Sequence, residues 1–351
     1  MVRGVTIKEI ARLAGVSVGS VSTVFSKRDT NVHLAAETRQ RILKIAQENH
    51  YVPNITARAM QSRKSYLLGF FYRASNWYLL SGILQGIRQV CSRYDYDIIV
   101  YPSSSLEEEK RNLESLHVNQ LDGIITIPLL ENGLSNQSIY RKLQEREIPV
   151  VQLLADIWPD FPMIGRDYRK IGLYAVRTLA AKGHHRIGVM IFANYHDPVS
   201  GGNNWRLMQG IQDGVSECGI QLDIFPLETD IAKNSLMQNA AEAAEQLIIQ
   251  SRKRPTALIT ASSNLAYGAY AGFMRHRWSI PQDIALLACG NDTEPFLQLA
   301  PDLAYFPVPL QQIGELSAEY CLGLHSMENT RELLFLPLNE GKTLGPGRQR
   351  K

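Results

Sequence analysis

From Leu67 onward the chain repeats one pattern, a short apolar run followed by an amphipathic stretch, and this narrows its fold more than any other feature. Strands are expected over 67–72, 97–101, 123–127 and 149–153, with helices near 78–94, from Leu106 and from Ser138. The pattern then repeats with helices 169–181, from about Asn204, 236–251 and 265–276 between strands 186–192, 220–225, 256–260 and 284–289. Parallel strands need helical crossovers, so the expectation is an α/β body of two doubly wound parallel-sheet subdomains. At 351 residues and 45% hydrophobic content, the chain has apolar material for more than one core. Its apolar runs fall far short of the roughly 20 residues of a membrane-spanning helix, and Met1-Val2-Arg3-Gly4 begins no signal peptide, so a cytoplasmic location is expected. Cys91, Cys218, Cys289 and Cys321 are far apart and lack metal-ligand spacing, which reads as free thiols.

The first 66 residues are different in kind. They hold eleven Lys/Arg against four Asp/Glu, whereas the other 285 residues hold 26 against 30. A basic module on a mildly acidic body points to a polyanion-binding head. Thr6-Ile7-Lys8-Glu9 has capping-box spacing and opens a short helix with Ile10, Ala11 and Ala14 inward. Gly15 suits a turn, and Ser17 can cap a second helix that buries Val21 and Val24. A third helix over about 35–48 puts Ile42, Ile45 and Ala46 on one face. These are the proportions of a small all-α helix-turn-helix domain, expected over 1–52. Pro53 breaks the pattern, and Asn54 can cap a short helix over 55–62 within a linker, 53–66.

The run from Val5 to Ser17 (VTIKEIARLAGVS), with Val21-Ser22, Thr38-Arg39, Tyr51-Val52-Pro53-Asn54 and Ala57-Arg58, closely resembles the LacI/GalR family of bacterial transcription regulators. The body is similar too, through Gly82-Ile83, Gly86-Ile87, Asp122-Gly123-Ile124-Ile125, Asp167, Gly183-His184-His185-Arg186-Ile187 and Ile280-Pro281-Gln282-Asp283-Ile284. The resemblance implies a homodimer on a pseudo-palindromic operator, with the second helix in the major groove and paired hinge helices in the minor groove. It implies an effector core like periplasmic binding proteins over 67–351. The expected division is an N-subdomain of about 67–164 and 296–325, and a C-subdomain of about 165–295 and 326–345.

By position in that resemblance, Val18, Gly19, Ser20, Ser22 and Thr23 face bases, and Asn54, Ala57 and Met60 face the minor groove. Thr6, Ser17, Lys27, Arg39, Tyr51, Arg58 and Arg63 are placed at phosphates, which position the protein without specifying sequence. None of the base-facing side chains can form a bidentate base contact, a departure from the family's long polar readers. Specificity is therefore expected to draw on DNA shape. Met60 stands where relatives carry a leucine wedge, and a flexible thioether can enter a base step. The segment 26–34 is about three residues longer than the usual loop.

Ligands of doubly wound sheets sit beyond the carboxyl ends of strands. The expected effector residues are Asn76, Trp77, Trp158, Tyr195, Asp197, Asn204, Trp205, Arg206, Asn264, Asn291 and Asp292, a mixture of aromatic faces and polar groups suited to a carbohydrate. Leu207 stands where relatives carry Arg, with Arg206 one position earlier; Leu154 replaces an acid, with Asp156 two residues on. The ligand is thus expected to differ from an ordinary hexose. No cofactor or metal is expected, and the adjacent His184 and His185 point apart at a helix-to-strand turn. GxGxxG after a strand, GxxxxGK[ST] and HExxH are all missing, so an enzyme is the remote alternative. A ligand sensor that has lost DNA specificity is the nearer one. Replacing Met60 with Ala is expected to abolish operator bending, read by phased-bend gel mobility; unchanged bending sinks the wedge.

Overall fold

The computed structural model describes residues 5–25, 34–51, 64–74, 77–115, 118–131, 133–198, 201–228, 236–250, 254–290, 302–327 and 331–347. The head consists of α1 (Ile7–Ala14), α2 (Val18–Phe25) and α3 (Ala36–Glu48). The capping box forms as expected: Glu9 N donates to Thr6 Oγ1, and Thr6 N donates to Glu9 Oε2 at 2.8 Å. Gly15 has φ 63°, the left-handed turn that glycine adopts at no steric cost. Ile10, Ala14, Val21, Val24, Ile42 and Ala46 close the core, and Phe25 meets the Tyr51 ring edge-on at 5.3 Å.

The first sheet of the body combines β1 (Leu67–Arg73), β2 (Asp97–Ser103), β3 (Gly123–Thr126), β4 (Val150–Leu153), β5 (Met163–Arg166) and β11 (Arg331–Leu334), in the order β11-β5-β4-β3-β1-β2. The second combines β6 (Arg186–Phe192), β7 (Gln221–Leu227), β8 (Ala257–Thr260), β9 (Ala285–Ala288) and β10 (Ala304–Tyr305), in the order β10-β9-β8-β6-β7. All these pairings are parallel. Strand alternation sends Phe70 and Phe71 to opposite faces of the first sheet, into separate cores. One face carries α4 (Trp77–Tyr94) and α11 (Leu310–Cys321); α5 (Leu106–Leu113) and α6 (Gln137–Gln144) lie on the other. The second sheet is covered by α7 (Tyr168–Ala181) and α8 (Asn203–Cys218) on one face, and by α9 (Leu236–Gln250) and α10 (Ser263–Arg275) on the other. Backbones touch where glycines meet: a β-carbon at Gly86 would overlap Gln311 O, and one at Gly314 would overlap Ile83 O.

Three strands differ from expectation. The pattern does not flag β5, β10 or β11, because four, two and four residues leave no readable alternation. No helix connects β4 to β5; the loop between them puts Trp158 and Phe161 into the core where a helix would lie. The subdomain division also shifts. β10 pairs with β9 in the second sheet, although 296–325 was expected in the first subdomain. β11 pairs with β5 in the first sheet, although 326–345 was expected in the second. The chain crosses between sheets after Arg166, after Tyr305 and after Leu334.

After the last crossing, residues 335–347 return to the second sheet, where Phe335, Leu338 and Leu344 pack on its core. His184 is buried and pins this return: Nε2 donates to Gly345 O at 2.9 Å, which leaves Nδ1 to accept the Thr256 hydroxyl at 2.8 Å. Both nitrogens are thus occupied by a neutral ring. Burial lowers the pKa from the ordinary 6.5, outweighing the carbonyl contact that raises it. The folded chain binds a proton less readily than the unfolded one, so His184 contributes stability above pH 6.5 that is lost as pH falls through its lower folded value. The urea midpoint is expected to drop between pH 7 and pH 5, and His184→Gln to flatten that dependence; identical pH profiles would remove His184 as its source.

Candidate nucleic-acid interface and effector cleft

Ser17 caps α2 through its Oγ, which accepts from Ser20 N at 3.0 Å and lies 2.9 Å from Ser20 Oγ. With Val21 and Val24 committed to the core, helical spacing turns Val18, Gly19 and Ser22 outward; all three are exposed, and Ser20 and Thr23 are half-buried. Thr23 Oγ1 donates to Gly19 O at 3.0 Å, so its proton is bound within the helix while its lone pairs stay available. The outward face of α2 therefore offers a methyl-bearing side chain, open backbone and hydroxyls. Thr6, the cap of α1, and Arg39, in α3, are exposed, and Tyr51 is half-buried, its phenol pKa raised by burial. Lys27, Asn54, Ala57, Arg58, Met60 and Arg63 lie outside the described residues, as do Asn76, Asn291 and Asp292; for Trp77 only the backbone is described.

In the body, the segment from β6 to the first turn of α8 brings together Tyr195, Asp197, Asn204, Trp205 and Arg206, all half-buried. Asn264 starts α10 beyond β8 and is half-buried too. Trp158 is a correction. Its ring is 1% exposed between Tyr140 and Phe161, and its Nε1 donates to Ser135 Oγ at 3.0 Å, so both its apolar face and its polar edge are committed to the first subdomain's core.

Two bonds reach across from α8 to the loop after β4. Asn203 Nδ2 donates to Leu154 O at 2.7 Å, and Arg206 Nη2 pairs with Asp156 Oδ2 at 2.6 Å. Asp156 Oδ1 also pairs with Arg331 Nε at 2.7 Å, and Arg331 donates to the carbonyls of Trp158, Pro159 and Phe161. One carboxylate thus ties a strand and a loop of the first subdomain to a helix of the second. Leu154 has φ 62°, a conformation costly for a branched side chain, held here by Leu154 N donating to Ile164 O at 2.9 Å. The β5 residue Arg166 also spans the subdomains, donating to Cys289 O and Phe306 O. Sequence reasoning missed the roles of Arg166 and Arg331. For Arg166 a signal existed, a charge placed directly at the end of the apolar run Met163-Ile164-Gly165; for Arg331 the long-range pairing left none. Among the described residues no group of three or more His, Cys, Asp or Glu could hold a metal ion, and no helix is long and apolar enough to cross a membrane.

A helix-turn-helix head joined to a two-sheet body with a bridged cleft defines the class of ligand-responsive DNA-binding regulators. Residues 6–54 match the model of the bacterial regulatory proteins of the lacI family, and residues 176–340 match a periplasmic binding protein-like domain. The ribose operon repressor of Haemophilus influenzae is 27% identical over 95% of this chain and 96% of its own length. Catabolite control protein A of Priestia megaterium is 26% identical over 88% of this chain and 89% of its own. Among solved structures, the lac repressor dimer bound to operator and the anti-inducer ONPF matches with TM-score 0.71 at 20% identity, over 97% of this chain and 99% of that one. The CelR–cellobiose complex matches with TM-score 0.62 at 19% identity, over 97% and 99%. The chain belongs to the LacI family of bacterial transcription regulators and, like them, is a DNA-binding regulator and not an enzyme.

The Asp156 cluster sets an energetic expectation. Its side chain is 10% exposed, so Asp156→Asn removes the buried charge that two guanidinium groups share and is expected to cost about 1–3 kcal/mol in urea unfolding. Asp160→Asn, which breaks the solvent-exposed pair with Arg141, is expected to cost less than about 1 kcal/mol. Equal losses would show that the Asp156 bridge carries no special weight.

Proposed function

We propose that this protein is a transcriptional repressor acting in the cytoplasm as a homodimer, whose operator affinity is set by a small carbohydrate-like ligand in the cleft between the subdomains. The outward face of α2 carries this reading: an exposed Val18-Gly19 pair and the Ser22 hydroxyl are presented on a capped helix within a strongly basic head. Val18 can meet a thymine methyl and the hydroxyls can make single hydrogen bonds, so phosphate contacts and DNA deformation supply the rest of the binding energy. The named relatives are a ribose operon repressor and a catabolite control protein, and the first supports repression. Dimerisation rests on the likeness to the operator-bound lac repressor dimer.

For the cleft, Tyr195 and Trp205 supply ring faces, while Asn204, Arg206 and Asp156 supply donors and acceptors, a combination suited to a polyhydroxylated molecule. A ligand that enters there competes with or reinforces the bonds from Asn203 and Arg206 to the first subdomain. It thereby changes the subdomain angle and the spacing of the two heads in the dimer. Whether this releases or tightens the operator follows from which state binds the ligand better.

The test is selection of duplexes from a random pool by the full chain, followed by affinity titration against salt. A palindromic site is expected, with affinity falling about 10³–10⁵-fold between 50 and 200 mM salt if six to ten phosphates are neutralised. No enrichment would favour a ligand sensor that no longer reads DNA.

A further inference from the structure

Arg166 is the last residue of β5 and is 4% exposed. It reaches the carboxyl ends of two strands in the other sheet, where Nη2 donates to Cys289 O at 2.9 Å and Phe306 O at 3.2 Å. The guanidinium carbon also stands 5.1 Å from the centre of the Tyr168 ring. Those partners are dipoles and a π face. Among the described residues no carboxylate pairs with it: Asp156 is held by Arg206 and Arg331, and the adjacent Asp167 turns its Oδ1 to Lys170 N as the cap of α7. A buried guanidinium ordinarily has an anion beside it, because carbonyl dipoles replace lost hydration without neutralising the charge. Nη2 is committed to the two carbonyls, whereas Nε and Nη1 donate to no group among the described residues.

Gly290, immediately after β9, adds an independent observation. It is not one of the glycines with positive φ, so its backbone does not require glycine. A β-carbon there would stand 3.2 Å from Arg166 Nη1, with the next atoms, of Val308 and Ala261, at 3.9 and 4.0 Å. The missing side chain thus leaves Nη1 approachable from the carboxyl ends of β8 and β9, the edge where doubly wound sheets take their ligands. A guanidinium is shaped to meet a carboxylate or phosphate with parallel hydrogen bonds.

We infer that Arg166 is an anion-recognising residue of the effector site and that the effector carries a carboxylate or phosphate group. The inference rests on the cleft being the effector site. It explains why a cation ends an otherwise apolar strand at the junction of the subdomains: an anion bound there is held by a group that already bonds to both sides, which makes anion charge a determinant of subdomain geometry.

The full-length chain is melted in potassium chloride, potassium acetate and potassium phosphate at equal ionic strength, beside Arg166→Met and Gly290→Ala. At least one of acetate and phosphate is expected to raise the wild-type melting temperature over chloride by at least about 2 °C more than it raises that of Arg166→Met, which subtracts the general salting effect. The anion that does so identifies the group. Gly290→Ala, which retains Arg166 but narrows the approach, is expected to lose most of that increment. Equal increments in wild type and Arg166→Met would overturn the inference. So would a Gly290→Ala variant with the full wild-type increment if Arg166→Met does not fold, since Arg166 would then be a brace. Operator titrations with glucose, glucuronate and glucose 6-phosphate separate the two readings. A neutral sugar that shifts affinity equally in wild type and Arg166→Met preserves the cleft and removes the anion. Selection that yields no operator at all strikes the regulator reading and leaves the melting result standing.

Discussion

The body depends on a constraint of chain path: the first sheet is finished by a strand, and the second is covered by a segment, that arrives only after the chain has visited the other subdomain. β11 adds to β5 only after the whole second sheet has been traversed, and residues 335–347 then return to cover that second sheet. Three crossings follow, at the ends of β5, β10 and β11. Neither subdomain is a contiguous stretch, so neither can detach, and their relative motion is confined to rotation about three short segments. The burial of Ile124, Ile125, Val150 and Val151 in one sheet and of Ile187, Val189, Leu258 and Ile259 in the other makes each subdomain a rigid body for that rotation. The motion that remains is the one a cleft-binding ligand can use.

Much of this was legible in the sequence, for a physical reason. Long amphipathic helices and strands buried on both faces leave strong periodic signals, so the helix from Trp77 to Tyr94 and the strand from Arg186 to Phe192 fall close to where residue pattern places them. The helix-turn-helix was legible because its geometry rests on local chemistry, a capping box at Thr6 and Glu9, a left-handed Gly15 and a capping Ser17. The failures lie where long-range pairing decides. Ala304 and Tyr305 form a strand only because Leu287 and Ala288 lie beside them. Trp158 reads as a ligand-stacking aromatic until the loop around it is seen to replace a crossover helix, with Gln152 holding that loop through Ile157, Trp158 and Phe161.

The reading helix makes a different trade. A glycine at its second position costs roughly 1 kcal/mol of helix propensity relative to alanine, and its outward side chains are too short for forked base contacts. On the proposed reading the helix would gain close approach: with Gly19 and Ser22 exposed, the backbone of α2 would come nearer to the groove than long polar readers would allow. On that reading a surface of this kind would discriminate weakly base by base, and the operator's deformability and the basic surplus of the head would carry more of the load. An effector that alters head spacing then acts on the larger share of the binding energy, since phosphate contacts made by two heads depend on their separation.

The bonds across the cleft bear on how such a switch is thrown. Moving a two-state equilibrium from one extreme to the other takes about 5.5 kcal/mol of differential affinity. The Arg206–Asp156 pair, with its arginine 32% exposed, supplies only a fraction of that, and the single Asn203 bond about 1 kcal/mol. No individual contact across the cleft is strong enough to lock either state. The bias is instead distributed over the Asn203 and Arg206 bridges from α8 and the Arg166 bridge from β5, which land on two different carbonyls and a carboxylate. A ligand acting on all three adds their small preferences. A ligand acting on one shifts the population without reversing it, which sets a floor on the size and polarity of an effective effector.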